Sequence, residues 1–551
     1  MQKNILILGA GLMQGPAIRA AKELGCTVVA VDGNPNAVCA GEADDFFNID
    51  LKDTSSITNL AKDLKKERGL DAVFTAATDF SVAVSCAANA CGLTGHTMEA
   101  AMCASDKTKM RECFFKCQVP SPKFAGIKKD DIKNGLNILT EKNICFPVVV
   151  KPADNMGARG CKLVYSEDML IPALEEACSY SKTGTVIAEE FIDGDEFSLE
   201  ALIVNGDIFV TAVADRHIFF PPHFVEMGHT IPSNFSKEDT QELISVFING
   251  IKSLGLTNGA AKGDIFLKKA DVSGKRHAFV GEIAARLSGG YMSGWTVPYS
   301  SGFDVTKAAI KIALGLYPEE LGKSSRFLIV PTKENIGAIG KDSGFSAERA
   351  WISIPGKIKK IYGLEEAANI LNVKNILPRC FEGDNVVFPK NNVEKCGNVL
   401  SAAASYKEAV SASQKAVQSI VIRLEPDNLC TCKFLNKINP DIKTQNSYEP
   451  NFFLFPDDFC KEGFKEVLEN SSLLQEDGLV FLSCFKNYLD SVFDVHGFSI
   501  RAALQTTFRI EPALKQKLIE VSYFSEKAVF YWFAFIRASV QGLLYAFDSK
   551  I

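Results

Sequence analysis

Two carboxylates and an arginine near the middle of the chain are spaced for phosphate chemistry. The segment 259–290 reads as two strands joined by a polar turn, with Asp264 on the first strand and Glu282 on the second. Carboxylates on adjacent strands that point to the same face form a hard-oxygen site for Mg²⁺ carrying phosphates. Arg286, just beyond the second strand, is placed to stabilise charge on a transferred phosphoryl group. A set of surface salt bridges across a hairpin is the alternative interpretation.

Two lysines and a glycine-rich loop predict a site for the phosphates of a nucleotide. Lys107 lies in the first turn of a predicted helix, where the helix dipole disfavours a cation unless an anion holds it. Lys151 follows the apolar strand 146–150 and precedes a loop containing Gly157 and Gly160. The loop offers N–H donors and the lysine offers charge to a triphosphate. The GK[ST] ending of a Walker A motif is absent, so an ordinary glycine-rich hairpin is the alternative.

Three glutamates in the segment 186–203 are expected at the other end of the nucleotide. The segment reads as strand, turn and strand, in which Glu189 and Glu190 end the first strand and Glu196 begins the second. Carboxylates would repel phosphates, whereas they accept hydrogen bonds from the adenine amine and the ribose hydroxyls. The pattern therefore predicts an adenosine site beside the phosphate site.

The N-terminal unit alternates strands with helices, which predicts a doubly wound parallel sheet. Its first strand, 4–8, ends in a turn with Gly9, Gly11 and Gly15, and its second strand ends at Asp32. The glycine spacing is longer than the dinucleotide-binding fingerprint G-x-G-x-x-G. Three interpretations remain open: NAD binding with Asp32 on a ribose, a turn that only closes the βα unit, or a substrate pocket lined by Gly11.

Taken in this order, the motifs of residues 1 to about 427 resemble the ATP-grasp superfamily, with a layout like that of biotin carboxylase, glycinamide ribonucleotide synthetase and amino-acid ligases. The segments that carry the resemblance are ILGAGLMQGPAIRAAKELG with AVD, SDKTKMRECFFKCQVPSP, VVVKP with its glycine loop, AEEFIDGDEFSLE, GxxKxD and ExxxRLSGG. The resemblance implies an α/β chain with a Rossmann-like parallel sheet, a two-lobed α+β ATP-grasp domain and a small β-rich subdomain. It also implies that ATP, with one or two Mg²⁺ or Mn²⁺ ions, phosphorylates a carboxylate.

The same resemblance implies a role for each matching residue. The ATP-binding positions are Lys107, Lys151, Asn155, Met156, Gly157, Ala158, Arg159, Gly160, Glu189, Glu190, Phe191, Ile192 and Glu196. Asp264 and Glu282 match the magnesium ligands, and Arg286 matches the catalytic arginine. Two residues depart from the family pattern: Asp264 stands where Glu is usual, and Ala284 stands where Asn is usual. Lys262, two residues before Asp264, is interpreted as a second catalytic residue that reaches the transferred phosphate.

The substrate side carries weaker signals. The segment 215–233 contains three of the chain's histidines, but their spacing does not match common metal ligation, and we predict an irregular loop over the substrate cleft. The residues expected to face the substrate are Gly11, Arg216, Glu226, His229, Ser288, Gly289 and Gly290.

The length predicts three or four domains, and the resemblance implies where the borders of the first three lie. The expected domains are a Rossmann-like domain (1–105), the ATP-grasp domain (106–325), an associated subdomain (326–427) and an appended, mainly helical module (428–551). The net charge of −6 argues against a nucleic-acid partner, and 16 cysteines without CxxC pairs are typical of reduced thiols in a cytoplasmic protein.

The appended module is rich in phenylalanine and reads as helices at 459–469, 479–493, 499–507, 511–522 and 525–547. Arg537, Ser539 and Gln541 interrupt the last of these, which argues against a membrane-spanning helix. A buried core helix, or a homodimer contact through 430–551, is expected instead.

Three functions compete at this point. The first is an ATP-dependent ligase that joins a small carboxylic acid, through an acyl phosphate, to an amine or a thiol and releases ADP and phosphate. The second is an ATP-grasp protein of carboxylase or carbamoyl-phosphate type, or one that binds ATP without ligase activity, as Asp264 and Ala284 suggest. The third is an NAD-dependent enzyme.

Overall fold

A computed structural model describes residues 2–272, 274–323, 344–436, 452–453, 488–521 and 526–549. The chain divides into two compact units, which we describe separately. The first comprises Met1–Pro221, Gly228–Glu348 and Ala402–Val410, and the second comprises Pro222–Met227, Arg349–Ser401 and Ser411–Ile551.

The first unit begins with the expected parallel sheet. Its strands are β1 (Asn4–Leu8), β2 (Thr27–Asp32), β3 (Asp45–Asn48) and β4 (Leu70–Thr75), in the spatial order β3-β2-β1-β4. The helices around it are α1 (Gly15–Glu23), α2 (Thr54–Arg68), α3 (Ser81–Ala90) and α4 (Met98–Ser105). The short apolar strands are buried on both sides, as parallel sheets require.

A small antiparallel sheet follows, in the order β5-β8-β6-β7. Its strands are β5 (Phe124–Lys128), β6 (Val148–Pro152), β7 (Lys162–Val164) and β8 (Thr185–Glu190). The accompanying helices are α5 (Lys107–Lys116), α6 (Gly135–Glu141) and α7 (Glu167–Tyr180). The predicted glycine loop joins β6 to β7, which confirms that it connects two strands.

A larger antiparallel sheet completes the first unit and runs β13-β12-β9-β10-β11. Its strands are β9 (Gly194–Val204), β10 (Asp207–Phe219), β11 (Val225–Ile231), β12 (Gly259–Lys268) and β13 (Ala278–Ala284). The helices are α8 (Lys237–Ser253), α9 (Val297–Ser301), α10 (Val305–Ala313) and α11 (Glu320–Lys323). Along β9 the apolar residues Phe197 and Leu199 join a core cluster with Phe247 of α8. The alternate residues point to the opposite face, which is polar at Glu196, Ser198 and Glu200 and apolar at Leu202 and Val204.

The described strands of the second unit pair in the orders β14-β18-β16 and β17-β15-β19. The strands are β14 (Phe345–Trp351), β15 (Gly356–Tyr362), β16 (Val373–Pro378), β17 (Asn385–Val386), β18 (Gly397–Ala403) and β19 (Val421–Leu424). The helices are α12 (Leu364–Ala368), α13 (Tyr406–Ser419), α14 (Leu429–Asn436), α15 (Ile500–Ile510), α16 (Ala513–Val521) and α17 (Glu526–Asp548).

The last helix, α17, is a core helix of the second unit. Gln541 accepts a hydrogen bond from the Ile354 N–H, and Asp548 pairs with Arg423 at 2.6 Å. The border expected at 427/428 therefore lies inside one compact unit. Among the described residues, no helix has the length and apolar character needed to cross a bilayer. Association of two chains through 430–551 stays a prediction.

One expected loop was wrong. The segment 215–233 is not irregular but continues β10, turns at Pro221-Pro222 and returns as β11. Val225 and Met227 are buried on either side of the less buried Glu226, and this short alternation is a strand pattern that the three histidines obscured. The helix expected at 459–469 lies outside the described residues, as does most of the helix expected at 479–493.

A buried carboxyl in the second unit makes its stability depend on pH. Asp494 accepts the N–H groups of His496 and Phe498, both at 2.9 Å, and burial raises its pKa to about 7. Because the pKa of Asp494 is higher in the folded protein than in the unfolded chain, its contribution to the stability of the fold is complete below about pH 4, where the carboxyl is protonated in both states. This contribution is lost as the pH rises through about 7. Asp494→Asn keeps the acceptor oxygen without the charge, so we expect a higher urea midpoint than wild type at pH 8 and a smaller difference at pH 5. Asp490→Asn, which changes an exposed residue, is the control, and an equal response of both variants would contradict this prediction.

Candidate active site

The two predicted metal carboxylates meet on one face of the larger sheet. Asp264 and Glu282 are direct cross-strand partners, and Ser198 of β9 stands opposite Asp264. Their side chains are 18% and 29% exposed, so an ion can reach both. Neighbouring cations balance their charge in this structure: Lys262 and Arg216 contact Asp264, with Arg216 at 3.0 Å. Paired oxygen donors on adjacent strands fit Mg²⁺, which Asp264 and Glu282 would hold.

Lys107 is held by anions, which resolves its unusual position at the start of a helix. Asp106 caps α5 by accepting the N–H groups of Thr108 and Lys109. The Lys107 ammonium lies 3.3 Å from Glu282 and donates to the Asn155 carbonyl at 2.7 Å. Burial opposes its charge, but Glu282 and Asp79 outweigh that effect and raise the pKa of Lys107 above its usual value. It therefore stays protonated beside the metal carboxylates.

Lys151 belongs to a buried three-residue network that was not predicted. Glu189 pairs with Lys151 at 2.5 Å and with Arg111 of α5 at 2.8 Å, and both Glu189 and Arg111 are fully enclosed. Burial disfavours the ionised form of Glu189, yet the two cations outweigh it and hold its pKa below the usual value. With both oxygens engaged, recognition of adenine by the Glu189 side chain stays a prediction. Arg111 lies one helical turn after Lys107, so its position on the same face was the available signal.

The glycine loop has a defined conformation and is anchored at its start. Asp154 accepts the N–H groups of Lys182 and Thr183, and Asn155 donates to the Tyr180 carbonyl. Gly157 and Gly160 have φ angles of 71° and 69°, which are left-handed conformations that favour glycine. Ala158 shares that conformation, Arg159 donates to the carbonyl of Met156, and the loop begins directly after Lys151-Pro152.

The expected adenosine end consists of the connection between β8 and β9. The Glu190 and Phe191 N–H groups are bonded to the carbonyls of Lys123 and Pro147, and Ile192 is buried. Glu196 lies on the polar face of β9 and pairs with Arg216 at 3.2 Å. Arg216 thus bridges the expected ribose and metal positions, and its contact with the substrate stays a prediction.

The predicted catalytic arginine is fixed by a carboxylate that sequence reasoning missed. Arg286 follows the end of β13, and its Nε lies 3.0 Å from Asp79 in the loop after β4. Burial opposes ionisation of Asp79, but Arg286 and Lys107 hold its pKa below the usual value. Ala76 and Leu287 also form a parallel bridge, so the N-terminal sheet directly adjoins the arginine.

The N-terminal glycine turn is closed by its own side chains. Asp32 accepts the N–H groups of Ala10 and Asn34, both at 2.8 Å. Gln14 accepts the Gly11 N–H and donates to the Ala76 carbonyl. Since both oxygens of Asp32 bond to the backbone, the geometry disfavours its use on the ribose of NAD.

The remaining substrate residues lie on several elements of the chain. His229 is buried between Glu348 at 2.9 Å and Thr296 at 2.6 Å, so its imidazole is fixed within the core. Glu226 belongs to the second unit, where its N–H bonds to Asn392. Ser288, Gly289 and Gly290 lie directly after Arg286, in the segment 287–296, which we call the serine–glycine loop. Its second half, Met292–Thr296, forms a π-helical turn.

Comparison with known proteins identifies the fold around this site. Residues 144–290, which include Lys151, Asp264, Glu282 and Arg286, match the family described as the ATP-grasp domain. The chain contains an ATP-grasp domain. Beyond it, residues 350–425 match the family described as L-amino acid ligase C-terminal domain 2.

Curated relatives match the chain over part of their own length. The chain is 25% identical over 348 residues to the C-terminal section of the carbamoyl phosphate synthase large chain of Methanocaldococcus jannaschii. The alignment covers 58% of this chain and 53% of that protein. It is 23% identical over 337 residues to carnosine synthase 1 of Gallus gallus, covering 57% of this chain and 36% of that protein. The chain thus spans about half of the first relative and less of the second.

Solved structures align over a larger share of the chain. L-amino acid ligase from Bacillus licheniformis aligns with a TM-score of 0.63 and 20% identity, covering 77% of this chain and 99% of that one. Phosphoribosylglycinamide synthetase from Anaerococcus prevotii aligns with a TM-score of 0.57 and 23% identity, and the alignment covers 77% of this chain and 100% of that one. These likenesses establish the fold.

Proposed function

We propose that the protein is an ATP-dependent, ADP-forming ligase that joins a carboxylic acid to an amine. The observation that carries the proposal is the cross-strand pair Asp264 and Glu282, with Lys107 at 3.3 Å from Glu282 and Arg286 just beyond the end of β13. This arrangement suits transfer of the γ-phosphoryl group of ATP to a carboxylate oxygen, since such transfer needs positioning and charge neutralisation more than covalent chemistry.

The residues have separate tasks in this reaction. Lys107, Lys151 and the glycine loop bind the nucleotide phosphates, and Mg²⁺ held by Asp264 and Glu282 would neutralise their charge. Arg286 and Lys262 stabilise the charge on the transferred group. The acid becomes an acyl phosphate and ADP forms; the amine nitrogen then attacks the carbonyl carbon, the C–O bond to phosphate breaks, and the amine loses a proton.

An amino acid is our proposed acid substrate. Its support is the match of residues 350–425 to a domain of L-amino acid ligases and the similarity to carnosine synthase, whose name describes a dipeptide product. A thiol nucleophile, a homodimer and a cytoplasmic location remain predictions of the sequence.

A phosphate-release assay tests the function. We expect ATP, Mg²⁺ and pooled amino acids to stimulate release of phosphate with ADP as the nucleotide product, and Lys151→Ala to lower the rate by about 100-fold because one phosphate-binding cation is lost. Lys269→Ala removes an exposed lysine, 72% exposed, and serves as the matched control.

The outcomes separate the competing functions. Formation of AMP and pyrophosphate would contradict the acyl-phosphate mechanism. ATP binding without stimulated release from any pool of acids and amines would favour a nucleotide-binding protein without ligase activity, whereas a nicotinamide absorbance change without ATP would favour the NAD-dependent enzyme. Release stimulated by bicarbonate alone would favour a carboxylase or carbamoyl-phosphate type of reaction.

A further inference from the structure

Glu200 is a buried carboxylate on the polar face of the larger sheet, beside the proposed reaction centre. Cross-strand pairing puts Glu200, Lys262 and Ala284 in one row, next to the row of Ser198, Asp264 and Glu282. Successive rows on one face are about 7 Å apart. Glu196 lies on the other side of the metal row, so Glu200 marks the end of the face farthest from the expected ribose.

The Glu200 carboxylate is bonded to the serine–glycine loop. The Ser293 hydroxyl lies 2.8 Å from each carboxylate oxygen and 3.1 Å from the Ser288 carbonyl. Glu200 is fully enclosed, and Ser293 is buried. A hydrogen bond to a buried charged acceptor contributes more to stability than one between neutral groups.

The loop that Ser293 anchors is held in an uncommon conformation. Tyr291 is buried with a φ of 66°, a left-handed conformation that is costly for a bulky residue. Gly294 packs so closely on Pro16 that an added Cβ would lie 2.7 Å from the proline Cγ. The loop also follows Arg286 directly, and Arg286 donates to the Leu287 carbonyl at 3.0 Å. Displacing Ser293 would therefore displace the arginine as well.

We infer that Glu200 is a positioning residue for the proposed ligase reaction: by holding Ser293 it fixes the serine–glycine loop and thereby Arg286. The effect on the reaction rate rests on the proposed function, whereas the anchoring of the loop does not. The charged groups that face Glu200 are Lys262 on β12 and Arg286 at the start of the loop, and these are paired with Asp264 and Asp79. Burial raises the pKa of Glu200 to about 7, so its charge changes near neutral pH.

Three variants test the role. Glu200→Gln removes the charge but keeps an oxygen that accepts the Ser293 hydroxyl, and Ser293→Ala removes the hydroxyl. Thr211→Val is the matched control. The Thr211 hydroxyl donates to the backbone carbonyl of Glu200, so its removal leaves the Glu200 carboxylate and Ser293 in place. We expect kcat to fall about 10- to 100-fold in both Glu200→Gln and Ser293→Ala with little change in the KM for ATP, as for a misplaced catalytic group. We also expect the inflection of kcat near pH 7 to disappear in Glu200→Gln.

A measurement that needs no substrate separates this role from the ligase proposal. Hydrogen–deuterium exchange of the full-length protein should show faster exchange of residues 287–296 in Glu200→Ala and Ser293→Ala, with partial protection retained in Glu200→Gln. Unchanged exchange in all three variants would overturn the positioning role even if the wild type is an active ligase. Equal rate losses in Thr211→Val and Glu200→Gln would overturn it too. If the wild type releases no phosphate, the ligase proposal fails and the exchange data still decide.

Discussion

Replacing Arg286 with alanine should lower the rate of substrate-stimulated phosphate release by about 10²- to 10³-fold, the usual loss when one preorganised charge donor is removed. The arginine follows the metal carboxylates, and its Nε is fixed by Asp79 at 3.0 Å, so its charge needs no reorganisation during transfer. ATP binding should change little, because Lys107, Lys151 and the glycine loop remain. Steady-state rates and nucleotide binding measured on the same preparations check both parts.

Two further variants make the Arg286 result specific. Arg286→Lys keeps a positive charge without the planar donor geometry, and we expect only partial recovery of the rate. Arg276→Ala removes an arginine that pairs with Asp195 and Asp239 instead, and its rate should match wild type. A rate for Arg286→Ala within a few-fold of wild type would contradict a catalytic role.

Replacing Arg111 with alanine should destabilise the protein by about 3–5 kcal/mol, because one partner of a buried ion pair is removed and the other is left behind. Arg111 is fully enclosed, lies 2.8 Å from Glu189 and donates to the Gly281 carbonyl at 2.6 Å. Lys151 would remain as the only cation of the network. The urea midpoint at pH 7 is the measurement.

The sign of the pH dependence provides a second check on Arg111. In the wild type the pKa of Glu189 is lower in the folded protein than in the unfolded chain, so the ionised carboxylate stabilises the fold at pH values above the unfolded-chain pKa. This stabilisation is lost as the pH falls through the folded-state pKa. Without Arg111 the pKa of Glu189 rises, so the deficit of the variant should shrink at acidic pH. Arg501→Ala breaks an exposed pair with Asp490 and should cost less than about 1 kcal/mol. A similar loss in both variants would contradict the buried-pair argument.

The part of the site that could be predicted from sequence is the part encoded by local patterns. Asp264 and Glu282 were expected on one face because strand alternation and a short polar turn fix which residues pair, and this is confirmed. The glycine loop and the positions of Lys107 and Lys151 were likewise expected, since turn residues and caps act within a few positions of the chain. The helix expected at 499–507 is confirmed with small shifts of its ends, as Ile500–Ile510. The span expected at 525–547 is helical over Glu526–Asp548, but a kink with non-helical backbone at Ala538 and Ser539 divides it.

Long-range partners had no comparable signal. Asp79 and Arg286 are 207 positions apart, and nothing near Asp79 in the sequence indicates a cationic neighbour. Glu200 reads as one more polar residue of an alternating strand, because the serine that bonds to it is 93 positions away. Charged residues are rarely buried unless paired, so Arg111 was not expected inside the protein. These contacts depend on how the sheets pack, which periodicity does not encode.

The bridge between Ala76 and Leu287 and the ion pair between Asp79 and Arg286 limit how this protein can be recombined. A chimera that joins its residues 106–325 to a parallel sheet from another protein would transplant the nucleotide-binding residues but lose the carboxylate that orients the arginine. The exchangeable part is therefore larger than the segment that binds ATP. A functional graft must include the loop after the fourth strand, or a receiving sheet that supplies an aspartate at the same place.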